Sequence, residues 1–477
     1  MRTTGKPLFK SDYWIIIAFS IAIVLTYFFL HDIYRPDNYD DPGFLSFVYN
    51  YINKGISHDV VFGTNHQDGY SGLVLFGKSC GYLYGSVLGL LGWTRSTSHL
   101  ISIVLVLLSA FFWYRIIYKL GFSLRFALFF SLALLLLEPC FGAANQARSD
   151  ALCFFLLSLA LLLFIKRVYL LSGFIAMVSF EVHPVGISTF FYILAVALAP
   201  LGNIKTREKN PYRSISGFAV GIMFGAVYYY ILHRNALPLL FSTLATGNRG
   251  GFEIIPILSE YFFKTKYYRH IPELILIIGC AGIFVARKYW RKNRLAALLF
   301  LAGCAIALVI RRPNFMYMIF LYPAFLLLIL YVFQESGRLR LIMVIVLIYL
   351  IPQYAFVYFQ NRDFKLPRYI GKVIRVVPDD GLPVLGSPND WFAFQDRDFY
   401  TLDYRKGIES LDLKEFYLIE SGTYRNGEYS AARSIIRGNY LTREVGQFKD
   451  RGKSTVVKKV IRFRKDRFEP AKPDKNE

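Results

Sequence analysis

The sequence is dominated by long apolar runs that carry almost no charge, for example 14–30, 100–114 and 339–358. A helix needs about 20 consecutive apolar residues to cross the hydrocarbon core of a bilayer, which is roughly 30 Å thick. Because most of these runs approach that length and only 18% of the 477 residues are charged, they predict a membrane protein with about eleven spans. The predicted spans are 13–31, 98–118, 124–138, 150–165, 169–182, 184–200, 214–232, 271–287, 295–310, 315–333 and 339–358.

Positive charge is distributed in a way that is typical of multi-pass membrane proteins. The net charge of +22 is also found in proteins that bind nucleic acid, but here Lys and Arg concentrate in alternate short loops, the positive-inside pattern. We therefore expect a cytoplasmic N-terminus and no nucleic-acid partner. The clusters are Arg2, Lys6 and Lys10; Lys119 and Arg125; Lys166 and Arg167; Lys205, Arg207, Lys209 and Arg213; Arg287, Lys288, Arg291, Lys292 and Arg294; Arg338 and Arg340.

The last part of the chain has a different character. Short strand-like runs at 382–385, 399–402, 416–419 and 456–463 alternate with helical or turn segments. The fold class expected is an all-α polytopic membrane bundle with a small C-terminal α/β domain outside the cytoplasm. The expected domains are 1–358 (membrane), 359–469 (α/β) and 470–477 (disordered tail). The five cysteines show no metal-ligand spacing, and no cofactor is predicted. A divalent metal bound by Glu181 and His183 with His58, His66 or Asp68 is the less favoured alternative, because these residues lack a known ligand spacing.

Glycines recur every fourth residue in two segments, which indicates close helix packing. They are Gly77, Gly81, Gly85 and Gly89, and later Gly217, Gly221 and Gly225. Residues 72–92 are not counted as a span, because an extra crossing would put the basic loops outside.

An acidic pair, Asp40 and Asp41, follows the first span. The apolar stripe after Pro42 predicts an amphipathic helix on the outer membrane surface, with Asp41 as N-cap and Gly55 after its end. Capping of the helix explains the presence of Asp41, but it does not explain the adjacent carboxylate of Asp40. A carboxylate near a helix N-terminus stays ionised, so Asp40 is the candidate general base, with Asp41 also a catalytic candidate.

Three further polar clusters lie at outer ends of predicted spans, where ionisable residues are costly unless they are paired or face a cavity. Asp150 is a catalytic candidate beside Arg148, or the two form a capping pair. Glu181 and His183 orient each other or bind a substrate hydroxyl, or they are a structural pair at the helix break. The last of these three clusters is Arg311, Arg312 and Tyr317. It suits a phosphate, because guanidinium groups bind phosphate through paired hydrogen bonds. The alternative is that the two arginines snorkel to lipid headgroups.

Together these clusters resemble the GT-C class of membrane glycosyltransferases, in particular the branch of protein O-mannosyltransferases and aminoarabinose-to-lipid-A transferases. The resemblance covers about residues 13–335. Its motifs here are Tyr39-Asp40-Asp41-Pro42-Gly43-Phe44, then Tyr82-Leu83-Tyr84-Gly85, then Asp150, and finally Arg312, Tyr317 and Pro323. Asp41 stands where many relatives carry Glu, which leaves open which carboxylate is the base.

The resemblance implies an inverting transfer of sugar from a polyprenyl-phosphate donor to an acceptor hydroxyl on the outer face of the plasma (inner) membrane. Asp40 would accept the acceptor's proton, and Arg311 or Arg312 would stabilise the departing phosphate. Arg148, Glu181, His183 and Tyr317 are candidate substrate-binding residues. The expected partners are the lipid-linked donor, a lipid, glycan or protein acceptor, and membrane lipids. The alternatives are a transporter or flippase, and a polymerase or ligase of lipid-linked glycans.

Overall fold

A computed structural model describes residues 10–34, 40–55, 77–199, 211–234, 237, 271–309, 315–401, 413–421, 440–450 and 453–462. Its helices in chain order are α1 (Lys10–Leu30), α2 (Asp40–Tyr49), α3 (Lys78–Leu91), α4 (Arg95–Lys119), α5 (Leu124–Leu136), α6 (Glu138–Ala144), α7 (Ser149–Ile165), α8 (Tyr169–Val182), α9 (Ser188–Leu198), α10 (Pro211–His233), α11 (Ile271–Ala286), α12 (Tyr289–Lys292), α13 (Arg294–Val309), α14 (Tyr322–Glu335), α15 (Leu339–Asn361) and α16 (Leu366–Val376). The 3-10 helices Pro184–Ile187, Phe315–Phe320 and Pro388–Ala393 and the π-helical turn Asn50–Lys54 complete the helical part.

The described residues form two compact units. The membrane unit contains 10–34 and the described residues from 77 to 362, and the sheet unit contains 40–55 and the described residues from 363 onward. The segment 40–55, which we expected in an outer loop of the membrane part, therefore groups with the sheet unit. The predicted tail 470–477 lies outside the described residues.

The membrane unit consists of helices that are mostly apolar. Within the described residues, four helical stretches are long and apolar enough to cross a membrane: Lys10–Leu30, Arg95–Lys119, Ser214–His233 and Leu339–Val376. Helices α5 and α6 meet at 62° and count as a fifth if they form one broken span. Helices lie over all eleven predicted spans, but several are shorter than a span requires, so the number of crossings stays a prediction.

Helices α8 and α10 pack with their backbones close together. A Cβ atom added to Gly173 on α8 would lie 2.1 Å from the backbone oxygen of Phe218, and one on Gly221 of α10 would lie 2.0 Å from that of Leu170. Because glycine has no side chain, the two helix backbones can approach each other closely at these positions. The packing role predicted for the second glycine series is confirmed here.

A buried ion cluster marks one end of the membrane unit. The carboxylate of Asp12, which is fully buried, accepts from Arg125 Nη2 at 3.0 Å and from Arg340 Nε at 2.9 Å. These residues lie at the beginnings of α1, α5 and α15. At the opposite end, Tyr34 donates to Glu138 Oε1 at 3.0 Å, just after α1 and at the start of α6. Asp12, Arg125 and Arg340 lie in or beside three basic segments that were predicted to share one side of the membrane, and they meet at one end of the membrane unit.

The sheet unit contains a five-stranded mixed sheet in the order β2-β1-β3-β5-β4. Its strands are β1 (Val384–Gly386), β2 (Phe399–Thr401), β3 (Glu415–Ser421), β4 (Tyr440–Asp450) and β5 (Lys453–Arg462). The first two strands and β3 pair in parallel, whereas β5 is antiparallel to both β3 and β4. The core includes Leu385, Phe416 and Val460, and the predicted α/β character is confirmed.

Helix α2 packs within the sheet unit. All residues from Asp41 to Tyr49 are buried, the Tyr49 ring lies 6.0 Å from that of Trp391, and the Tyr49 hydroxyl donates to Asp396. We predicted that this helix lies on the membrane surface. In the structure it contacts the Pro388–Ala393 turn of the sheet unit through Tyr49 and Trp391.

Candidate functional site

An ion pair that the sequence suggested lies where the loop after α6 meets the start of α7. Arg148 immediately precedes α7, and its Nε donates to Asp150 Oδ2 at 2.7 Å. The two side chains are 9% and 1% exposed. Asp150 Oδ1 is also buried, and it has no hydrogen-bond partner in the described part of the chain. Arg148 therefore balances the charge of Asp150 while leaving one carboxylate oxygen for another contact.

Tyr84, in the predicted Tyr82–Gly85 motif, contacts the loop that precedes α7. Tyr84 on α3 is fully buried, and its hydroxyl donates to the backbone oxygen of Arg148 at 3.3 Å. It also lies 2.7 Å from the hydroxyl of Ser102 on α4, which donates to the backbone oxygen of Gln146 at 2.7 Å. Two helices thereby fix the backbone of the loop that carries Arg148 and Asp150.

His183 occupies the break between α8 and the Pro184–Ile187 turn. Its Nδ1 accepts from the backbone N–H of Val185 at 3.1 Å, so the neutral ring carries its proton on Nε2, which lies 3.3 Å from the Tyr317 hydroxyl. Burial lowers the pKa of His183 to about 4, and the nearby charges of Asp150 and Arg148 act on it in opposite directions. The structure thus brings His183 together with Tyr317 and close to the Arg148–Asp150 pair.

Glu181 does not pair with His183, although the two are close in sequence. Glu181 Oε1 accepts instead from His233 Nε2 at 2.8 Å and from the backbone N–H groups of Lys78 at 2.7 Å and Ser79 at 3.4 Å. The carboxylate therefore caps the N-terminus of α3, where helical N–H groups lack intrahelical acceptors. Of the two roles predicted for Glu181, these contacts favour a structural polar group at the helix break. They do not favour a partner that orients His183.

Two residues of this region were missed by sequence reasoning. His233 ends an apolar helix, and a buried ionisable residue there is a signal in itself, but its distance from Glu181 in the chain concealed the pairing. Gln146 gave no signal, because a lone Gln between helices is common in loops.

The remaining predicted site residues are not among the described residues of the membrane unit. Asp40 and Asp41 belong to the sheet unit, where both fall in the first turn of α2. Since the helix already includes Asp40, Asp41 is not the N-cap that we predicted, although carboxylates in the first turn still lie near the free N–H groups. Gly55 has φ +67°, the left-handed conformation expected after the helical end. Arg311 and Arg312 lie outside the described residues.

Across the described ranges, no group of three or more His, Cys, Asp or Glu side chains is arranged to hold a metal ion.

Solved structures share this fold. The crystal structure of ArnT from Cupriavidus metallidurans bound to undecaprenyl phosphate matches with a TM-score of 0.61 and 13% identity, over 94% of this chain and 98% of that chain. The same protein in the apo state gives 0.62 and 12%, with the same coverage. The Archaeoglobus fulgidus oligosaccharyltransferase tethered with an acceptor peptide matches at 0.47 and 12%, over 90% of this chain and 73% of that chain. No family model and no curated protein sequence matches.

The predicted resemblance to the GT-C class is therefore confirmed at the level of fold, and it rests on the two ArnT structures. Together with the long apolar helices, this fold makes the chain a multi-pass membrane protein.

Proposed function

We propose that this protein is a glycosyltransferase that moves a sugar from a polyprenyl-phosphate donor to an acceptor hydroxyl, with inversion at the anomeric carbon. The observation that carries the proposal is the match, over nearly the whole of both chains, to a protein that was crystallised with undecaprenyl phosphate. A donor of that chemistry suits a chain whose long helices are apolar.

The polar residues of the membrane unit support the proposal. Arg148, Asp150, His183 and Tyr317 come from three segments and gather near one end of the unit. That end is opposite the Asp12 ion cluster, and positive-inside charge would place it on the outer face of the inner membrane. A lipid-linked sugar in the outer leaflet would present its headgroup at this level.

In the proposed reaction a carboxylate, Asp40 by preference, accepts the proton of the acceptor hydroxyl. The acceptor oxygen bonds to the anomeric carbon while the bond from that carbon to the phosphate oxygen breaks. The polyprenyl phosphate leaves with the bonding electrons, so a single displacement inverts the centre. Arg311 or Arg312 is the proposed cation for the departing phosphate, because guanidinium groups bind phosphate through two parallel hydrogen bonds.

The test uses the purified full chain in liposomes. It is incubated with a panel of polyprenyl-phosphate sugars, comprising a neutral hexose, a pentose, an amino sugar and a uronic acid, and the products are identified by mass spectrometry. We expect transfer from one of these donors without added nucleotide sugar, and weaker donor use in Arg312→Ala. Transfer only from a nucleotide sugar would refute the proposal, as would movement of lipid-linked sugar across the bilayer without a new glycosidic bond.

A further inference from the structure

Residues 145–150, which form the end of the loop after α6 and the first turn of α7, include polar side chains that are buried and lack hydrogen-bond partners among the described residues. Both amide atoms of Gln146 lack a partner in the described part of the chain, and so do Asn145 Oδ1 and Asp150 Oδ1. All three residues are fully buried. A buried polar group without a partner is destabilising, and four such atoms within six consecutive residues indicate that something else binds them.

These side chains are held in place. Ser102 and Tyr84 bind the loop's backbone oxygens, and Asn145 Nδ2 donates to the backbone oxygen of Phe141 at 2.8 Å. That bond fixes which atom of the Asn145 amide remains unpaired. Asp150 is anchored through Oδ2 by Arg148. The atoms that lack a partner among the described residues are therefore the outer ends of anchored side chains.

The chemistry of the free atoms selects a ligand class. Asn145 Oδ1, Gln146 Oε1 and Asp150 Oδ1 are acceptors, and the Gln146 NH₂ group is the one donor among the four atoms. A phosphate offers only acceptors and would leave three of these atoms without partners. Sugar hydroxyls both donate and accept, and an amino substituent also donates.

We propose that the loop 145–150 binds the hydroxyl or amino groups of a sugar, and that Gln146 determines which sugar is accepted. This inference rests on the proposed glycosyl transfer, and it assigns the sugar, rather than the lipid phosphate, to this loop. The sugar belongs either to the donor or to the acceptor, and the two share this hydroxyl chemistry. A site built to bind a hydroxyl discriminates strongly against an analogue that lacks it, because its own polar groups are then left unpaired.

The experiment combines Gln146→Leu with deoxy substrates. Leu has similar bulk but no hydrogen-bonding atom, so the change should leave the fold at least as stable; Gln146→Met is a second variant with an unbranched side chain. The matched control is Gln334→Leu, which replaces a Gln with an unpaired buried Oε1 near the end of α14, away from the loop. For each protein, kcat/KM is measured with parent sugars and with analogues that lack one hydroxyl, first in the donor and then in the acceptor.

We expect wild type and Gln334→Leu to lose about tenfold to a hundredfold in kcat/KM on one deoxy analogue. Gln146→Leu should show that loss already on the parent sugar, with no further loss on the same analogue. Whether that analogue is a donor or an acceptor identifies the source of the sugar. Equal discrimination by Gln146→Leu, Gln146→Met and wild type would overturn the inference.

A binding measurement separates this inference from the proposed function. Wild type and Gln146→Leu are compared for their binding of a polyprenyl-phosphate sugar and of bare polyprenyl phosphate. If wild type transfers no sugar but prefers the sugar-bearing lipid, and Gln146→Leu loses that preference, the sugar site stands and the transferase proposal fails. If transfer occurs and the substitution changes neither this preference nor the discrimination between the parent acceptor and its deoxy analogues, the transferase proposal stands and the sugar site fails.

Discussion

Substitution of Glu181 by Ala is expected to destabilise the membrane unit strongly. The Glu181 side chain joins α8, α3 and α10, because its Oε1 accepts from His233 Nε2 at 2.8 Å and from the backbone N–H of Lys78 at 2.7 Å. The residue is 2% exposed, so water does not readily replace these bonds. Alanine would leave the imidazole and the first N–H groups of α3 without an acceptor.

The magnitude follows from the groups that lose a partner. Loss of a helix cap costs about 1 kcal/mol, and loss of a hydrogen bond to a charged group costs about 1.5–3 kcal/mol. Because these bonds share one oxygen their costs do not add fully, and we expect about 3 kcal/mol for Glu181→Ala. Glu181→Gln keeps an acceptor oxygen and should cost less. The control is Glu335→Ala, whose partner Lys292 lies 3.5 Å away with a side chain 59% exposed, a contact that contributes about 0–1 kcal/mol.

The assay is hydrogen exchange, measured by mass spectrometry on peptides from the start of α3 in the detergent-solubilised protein. A loss of 3 kcal/mol accelerates exchange through local opening by about a hundredfold, since 1.4 kcal/mol corresponds to a factor of ten. We expect that acceleration in Glu181→Ala, a smaller one in Glu181→Gln and none in Glu335→Ala. Exchange in Glu181→Ala that equals the Glu335→Ala rate would refute the structural role of Glu181.

Three further predictions concern the rest of the chain. Asp40→Asn should lower turnover by at least about 10²-fold, because an amide cannot accept a proton as a general base does, whereas Asp41→Asn should be milder; steady-state kinetics on both variants reveal a reversed order if Asp41 is the base. A reporter that is active only in the cytoplasm should be silent when fused after residue 360, and a bright signal there contradicts an external sheet unit. Burial raises the pKa of Asp390 to about 6, above its ordinary value, so this group's contribution to stability is full below pH 4 and is lost as the pH rises to about 6. Hydrogen exchange of 384–401 should therefore quicken over that pH interval in wild type and less in Asp390→Asn; identical pH profiles would argue against a raised pKa.

Much of the helical structure could be predicted from the sequence. Helix α8 was predicted at 169–182 and is found at Tyr169–Val182, and α7 was predicted one residue short of its observed start at Ser149. Helices in apolar runs are local structures, because every interior N–H finds its acceptor four residues earlier. A run length and its flanking charges are therefore enough to place them.

The sheet was only partly predictable. Strands β1, β2, β3 and β5 overlap predicted runs, but β4 (Tyr440–Asp450) was missed. This strand lies at the edge of the sheet and most of its residues are exposed, so it lacks the apolar alternation of a half-buried strand. Its place depends on pairing with β5, a contact that its own sequence does not encode locally.

In the candidate site, too, the sequence predicts contacts between residues close in the chain but not contacts between distant segments. The sequence alone determined that Asp150 would lie beside Arg148, because residues two apart at a helix start are neighbours in any fold. It could not determine that Glu181 would bind His233, or that α2 would pack on the Pro388–Ala393 turn. Nor could it show that Tyr84 and Ser102 anchor the loop of Gln146. Those contacts join segments far apart in the chain, and only the packing of whole helices brings them within hydrogen-bonding distance.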